Sequence, residues 1–270
     1  MPTLILASRL DAAAMNIADK LLKRFGFKES KISFGGRPVY AKEDVYLGYV
    51  DCDSISVSNL DSMAWVEAVI FASRHKSESG RPSLTVHVPG NLLDEAPYGG
   101  RQREVASAAP ERMKAALLSL SEANLRNAMG YSVSLEVTHH GPTGISVPVV
   151  FVEIGSSVEQ WRDERAGEVA AEAVMRAARW GHGGISAVGF GGGHYAPDFT
   201  RLELEGELAF GHIVPKDAVG TLDPEMTKML FDKTGKSCRL AVLDWKGIRG
   251  VDRETLLRSL KDLGIEVLKS

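Results

Sequence analysis

The sequence predicts an α/β fold: a mixed, largely parallel sheet with helices on both faces. The chain opens on an apolar strand, TLILAS (3–8), followed at once by an amphipathic helix. Apolar strand-like runs and helical periodicities then alternate to its last residues. No internal repeat, low-complexity tract or clean linker divides the 270 residues, so a single domain over 1–270 is expected.

Each element has its own signal. In the first helix Ala14, Ile17, Ala18, Leu21 and Leu22 keep helical spacing, Asp11 suits the N-cap and Gly26 stops the run. VYLGYVD (45–51) and SISVS (54–58) read as strands, SMAWVEAVIFASRH (62–75) as a helix, and SLTVHV (83–88) as a strand. Residues 89–103 form a long loop rich in turn formers, a kind more often functional than idle. A long helix is expected over 105–128, with Pro110 near its first turn. YSVSLEVTHHGP (131–142) and VPVVFVEIGS (147–156) read as adjacent strands, 157–181 as a helix and ISAVGF (185–190) as a strand. GGGHYAP follows as a turn with no evident helix after it. The tail reads as strand 208–214, helix 223–235, strand 239–245, helix 252–264 and strand 265–268.

Composition narrows the function classes. The net charge of −3 gives no global basic field for nucleic acid, although a local patch can serve. Cys52 and Cys238 lie too far apart for a metal motif or a disulfide framework, and both are expected to be small buried residues in a reducing compartment. No window of about 18 apolar residues suggests a membrane span, and the start is too short and lightly charged for a signal peptide. A cytoplasmic protein is expected.

Five of the seven histidines stand where a strand-like run meets a turn: His87, His139, His140, His194 and His212. Imidazole carries acid–base and metal chemistry near neutral pH. If the strands run parallel, their carboxyl ends line one edge of the sheet, where ligands bind in open α/β folds. One active site gathered from four segments follows. Along YSVSLEVTHH side chains alternate faces, so Glu136 and His140 share a polar face while His139 continues the apolar one. His139 and His140 then point apart, unless Gly141-Pro142 breaks the geometry. Glu153 stands within an apolar run, as a metal ligand, a general base, an arginine's partner or half of a structural ion pair. Gly191, Gly192 and Gly193 can offer backbone N–H groups to an oxyanion beside His194 and Tyr195. His75, Ser77, Ser79 and Arg81, with Arg101 and Arg103, combine hydroxyl and cationic groups suited to phosphate or ribose. His182 is expected at a helix terminus or on the surface.

SRHKSESGRPSLTVHVPGN, EVTHHGPT, PVVFVEIGSSVEQW, GFGGGHYAPDFT and GHIVPK, in this order over residues 73–216, resemble the archaeal and plant type of D-aminoacyl-tRNA deacylase. The resemblance implies hydrolysis of the ester between a D-amino acid and the terminal ribose of tRNA. It implies a phosphorylase- or hydrolase-like fold related to peptidyl-tRNA hydrolases, and an association with zinc. The partner is tRNA carrying a D-amino acid; no membrane or protein partner is implied, and a monomer is expected. Ester hydrolysis needs activated water, oxyanion stabilisation and protonation of the leaving ribose oxygen. The catalytic set expected is His87, Glu136, His140, Glu153, His194, Tyr195 and His212. His139, His140 and His194 are the first choice for zinc, with His75 or His87 as alternatives to His139. Two competing readings remain: a zinc-dependent hydrolase of small esters or amides, and a non-catalytic RNA- or nucleotide-binding protein.

Overall fold

The computed structural model describes residues 2–270 apart from 59, 61, 62, 64, 180–182 and 236. Strand β1 (Thr3–Ser8) leads into helix α1 (Ala12–Phe25), where the Asp11 carboxylate accepts the Ala13 and Ala14 N–H groups and Gly26 ends the helix at φ +72. A meander of β2 (Lys28–Phe34), β3 (Arg37–Lys42) and β4 (Val45–Val50) follows. Next come β5 (Ala68–Lys76), β6 (Ser83–His87), the short strands β7 (Gly90–Asn91) and β8 (Glu104–Val105), and helix α2 (Pro110–Arg126). Strands β9 (Ser132–Leu135) and β10 (Val149–Ser156) precede helices α3 (Val158–Trp161) and α4 (Glu164–Arg179). The last third alternates strictly: β11 (Ile185–Phe190), α5 (Pro197–Glu205), β12 (Leu208–Val214), α6 (Pro224–Thr234), β13 (Leu240–Leu243), α7 (Gly250–Asp262) and β14 (Glu266–Lys269).

The strands form a mixed eight-stranded sheet, in the order β2-β3-β4-β1-β5-β10-β6-β9, and a parallel four-stranded sheet, β12-β11-β13-β14. Helices α1, α2 and α4 pack side by side on the large sheet, and α2 also reaches β12. One apolar core runs from Leu4, Phe71 and Phe151 in the large sheet to Phe199 of α5 and to Phe210 and Ile213 in the smaller sheet. No described helix is long and apolar enough to cross a membrane.

Several elements differ from the sequence reading. The helix expected over 62–75 is not formed: from Ala68 onward the segment is the central strand β5. It runs parallel between β1 and β10, with Ala68–Ser73 buried on both faces. A strand covered on both faces is a continuous apolar run, which periodicity cannot separate from a buried helix. The strand expected at 54–58 is a 3-10 turn, Ser54–Ser56. Unread beforehand, β2 and β3 form a hairpin about Gly35 and Gly36, both at positive φ. Strands β9 and β10 are not neighbours, because antiparallel β6 lies between them. The helix read over 157–181 breaks into α3 and α4, its last residues lying outside those described. Helix α2 starts at Pro110, and Glu104–Val105 pairs instead with Gly90–Asn91. Cys238 is buried as expected, but Cys52 is exposed.

One core carboxyl makes stability depend on pH. Glu203 of α5 is fully buried; Oε2 accepts the Phe210 N–H at 2.5 Å, while Oε1 has no hydrogen-bond partner among the described residues. Burial raises its pKa to about 8, only partly offset by the Phe210 N–H and Lys114. The folded-state pKa lies above the ordinary 4.5, so this group's stability is fully present below pH 4.5 and is lost as pH rises through 8. Glu203→Gln removes that dependence. Comparing urea unfolding of wild type and variant at both ends of the window should show the difference between them changing by roughly 4 kcal/mol. Parallel pH profiles would contradict this account of Glu203.

Candidate active site

Five histidines and two carboxylates meet above the large sheet. His75 is the penultimate residue of β5, opposite Gly155 of parallel β10, and Glu153 stands two residues earlier on β10 opposite Ser73. Gly155 makes room: a Cβ there would sit 2.8 Å from His75 Cδ2 and 2.4 Å from Ser83 Oγ. His87 arrives from the opposite direction, because β6 runs antiparallel to β10 and sets His87 across from Phe151. The site therefore uses one antiparallel strand as well as the carboxyl ends of parallel ones. Beyond β9 the chain continues alongside β6, with Glu136 N–H on Val86 O and a bridge between Pro89 and His139. His194 follows β11, and its carbonyl accepts the Val137 N–H, tying the smaller sheet to this segment.

His139 and His140 do not point apart. The strand has already ended at Leu135, and His140 adopts φ +46, which breaks the alternation. Their rings lie 4.4 Å apart by centroid, and His87 stands 4.4 Å from His139 and 4.8 Å from His140. Gly141 lets this turn pack, since a Cβ there would fall 2.4 Å from Gly100 N.

Glu136 is the buried hub, though not through His140. His75 Nδ1 lies 3.0 Å from Glu136 Oε1, while His194 Nε2 and His139 Nε2 lie 3.1 and 3.4 Å from Oε2. Glu153 Oε2 lies 3.6 Å from His75 Nδ1 and 3.8 Å from His87 Nε2, distances that mark electrostatic attraction rather than good hydrogen bonds. Burial pushes both carboxyls up, but the surrounding imidazoles prevail: His194 above all holds Glu136 at about 2, and His75 and His87 hold Glu153 well below the usual range. Burial lowers His75, yet Glu153 and Glu136 overcome this and raise it to about 10, so it is an imidazolium at neutral pH. Burial and the charge of His87 keep His139 low and His140 at about 4, so both are neutral.

The donor set fits a metal ion. His139 Nδ1 donates to Val137 O at 2.7 Å and His140 Nδ1 to Gly141 O at 2.6 Å. This fixes each tautomer and leaves both Nε2 lone pairs free, the arrangement found around metal-ligating histidines. Both ring nitrogens of fully buried His87 and both oxygens of Glu136 lack a hydrogen-bond partner among the described residues. Such orphans are uncommon in a dry interior and are explained where a cation completes them. Three sets of atoms converge closely enough to hold an ion: His87–His139–His140, His75–Glu136–His194 and His87–Glu136–Glu153. In these sets His87 stands with His139 and His140, while His194 stands with His75 and Glu136.

Other expected residues fall in different places. His212 stands apart from the cluster: it is fully buried in β12, Nδ1 meets Thr138 Oγ1 at 3.2 Å, Nε2 donates to Ala106 O at 3.1 Å, and burial lowers its pKa to about 3. Tyr195 joins the site, its hydroxyl 3.0 Å from His75 Nε2. Gly191 N–H is committed to Val214 O, so it is not free for an oxyanion. Helix α5 starts four residues after Gly193, with Pro197 at its first position. Ser77 and Ser79 bond each other at 3.0 Å, and Ser79 and Arg81 face a separate groove. Arg101 pairs with Glu104 at 2.7 Å and Arg103 with Asp223, both away from the imidazoles. His182 lies outside the described residues. Asp11 was read only as a helix cap, yet its Oδ2 also accepts the Arg74 N–H at 2.8 Å and so ties the start of α1 to the end of β5 that carries His75. The mouth is a cleft of about 530 Å³ lined by His75, His139, His140, Glu153, His194 and Tyr98.

Comparison with known proteins adds a family. The sequence profile described as D-aminoacyl-tRNA deacylase matches residues 63–268. A D-aminoacyl-tRNA deacylase of Pyrococcus horikoshii is 42% identical over 98% of both chains. Relatives of the same name from Pyrococcus furiosus and Methanocaldococcus jannaschii are 40% and 36% identical, each also over 98% of both chains. A solved structure described as a conserved protein of unknown function superposes with a TM-score of 0.90 at 34% identity, covering 99% of this chain and 95% of that one.

Proposed function

The chain belongs to the D-aminoacyl-tRNA deacylase family, and we propose that the imidazole–carboxylate cleft is where it does its chemistry. It is a hydrolase of ester bonds that splits D-aminoacyl-tRNA into free D-amino acid and tRNA. The observation that carries the assignment to the cleft is the convergence of five histidines from four segments on two ionised, buried carboxylates.

The roles follow from protonation and exposure. His194 is the most open imidazole of those paired with Glu136, its side chain 43% exposed. Its Nε2 lies 3.1 Å from Glu136 Oε2, a contact that leaves Nδ1 to serve as the base for the attacking water. His75, charged, donates from Nε2 to the Tyr195 oxygen and turns the phenol's own proton onward. Tyr195 supplies that proton to the leaving ribose oxygen, and His75 restores it. The Gly192 and Gly193 amides face the developing oxyanion. His87, once its proton is lost, would hold a zinc ion together with His139 and His140, with Glu136 and Glu153 near enough to offset the ion's charge. When bound, zinc supplies Lewis acidity that polarises the ester carbonyl and acidifies nearby water.

His194→Ala tests the assignment. Ester loss from D-tyrosyl-tRNA should fall at least about 100-fold with the fold intact. L-Tyrosyl-tRNA provides the baseline, since wild type should leave it charged. Near-wild-type release of D-tyrosine by the variant would remove His194 from the mechanism.

A further inference from the structure

A groove of about 710 Å³, larger than the cleft, opens beside it between β9 and α5. Strand β9 is the outer strand of the large sheet, so its far side has no neighbouring strand. Tyr195 belongs to both hollows: it lines the groove, and its hydroxyl meets His75, which lines the cleft.

We propose that this groove holds the single-stranded 3′ end of the tRNA, the nucleotides adjoining the ester. The proposal rests on the cleft being the site of ester hydrolysis. An ester bound in the cleft must be followed by its nucleotides along a surface starting there, and the groove starts at Tyr195. Its volume exceeds what an amino-acid side chain fills and lies within the range of pockets for larger ligands.

The lining matches single-stranded RNA. Arg81 has no carboxylate partner among the described residues, and Arg201 shares its charge with Glu205 at 3.5 Å. Two guanidinium groups on one groove suit successive phosphates. Ser132 and Ser134 contribute hydroxyls. The alternation that directs Leu135 N–H outward to Thr200 Oγ1 directs Val133 N–H outward as well, into the groove. Tyr195 and the apolar floor offer faces on which bases stack without sequence preference. An extended peptide pairing with β9 would use the same strand edge but would leave Arg81 without a counter-charge.

Binding of deacylated tRNA tests the groove without requiring turnover, so a failure of the cleft assignment would leave the result readable. The probes are intact tRNA and the same tRNA lacking its three 3′ nucleotides. The variants are Arg81→Ala/Arg201→Ala, which removes exposed charges, and Ser132→Trp, which fills the groove from an exposed position. Each variant should bind intact tRNA about 10-fold more weakly than wild type. For the double variant the log–log salt slope should be shallower by about 1.4, at 0.7 per lost contact to a single strand. The truncated tRNA should bind equally to all three proteins. Unchanged affinity for intact tRNA would overturn the proposal, as would an equal loss with the truncated tRNA, which would put these residues on the stem. An effect confined to the preference between D-tyrosyl and D-alanyl esters would overturn it too, giving the groove to the amino-acid side chain.

Discussion

Glu136→Gln should abolish most of the deacylation of D-tyrosyl-tRNA, a loss of about 10³-fold under single-turnover conditions. The carboxylate faces His75 at 3.0 Å, His194 at 3.1 Å and His139 at 3.4 Å, so a single change reaches both the base and the acid of the proposed reaction. Positioned acid–base groups contribute about 10²–10⁴-fold in rate, and here two depend on the same anion. Glutamine matches glutamate in shape but not in charge. Breaking a buried ion pair costs about 3–5 kcal/mol, less than most domains have in reserve, and His75 retains Glu153. The variant should therefore fold with a lowered melting temperature. Full activity in folded Glu136→Gln would show that neither His194 nor His75 depends on this carboxylate.

The second large effect concerns metal. Purified protein should contain zinc, lose activity about 10²-fold or more on chelation, and recover when zinc is restored. His140→Ala should hold less than about a tenth of the wild-type metal and resist rescue, because His87, His139 and His140 bring only one nitrogen each. Metal content is measured directly by elemental analysis, independently of turnover. Activity indifferent to chelation, in protein shown to be free of metal, would return the orphaned atoms of His87 and Glu136 to a purely electrostatic role.

Much of this site was readable in the chain. The stretches around His75, His87, His139, His140, Glu153 and His194 carry unusual combinations of residues, and the structure brings all of them together. Pairings were harder to read. Alternation put Glu136 with His140, but the strand ends before Glu136 and the left-handed backbone at His140 turns that ring toward His87. His75 was read as a contact for substrate, or an alternative zinc ligand, from the hydroxyl and cationic residues around it; near the end of a central strand it lies against both carboxylates. His212 shares the local pattern of the site histidines, a strand end followed closely by proline, but its ring is taken up by Thr138 and the Ala106 carbonyl. Local sequence records that context without recording which face the tertiary fold covers. The groove went unrecognised because α5 follows a glycine run with no capping signal, and Ala196 at its start adopts φ +42.

The contrast between two histidines tests the account most directly. His140→Ala and His212→Gln are assayed for release of D-tyrosine from D-tyrosyl-tRNA, at a temperature where both are shown to be folded. One cluster acting on one ester predicts a loss of at least about 100-fold for His140→Ala and activity within about fivefold of wild type for His212→Gln. Near-wild-type release by His140→Ala, or an equal collapse in both folded variants, would contradict it.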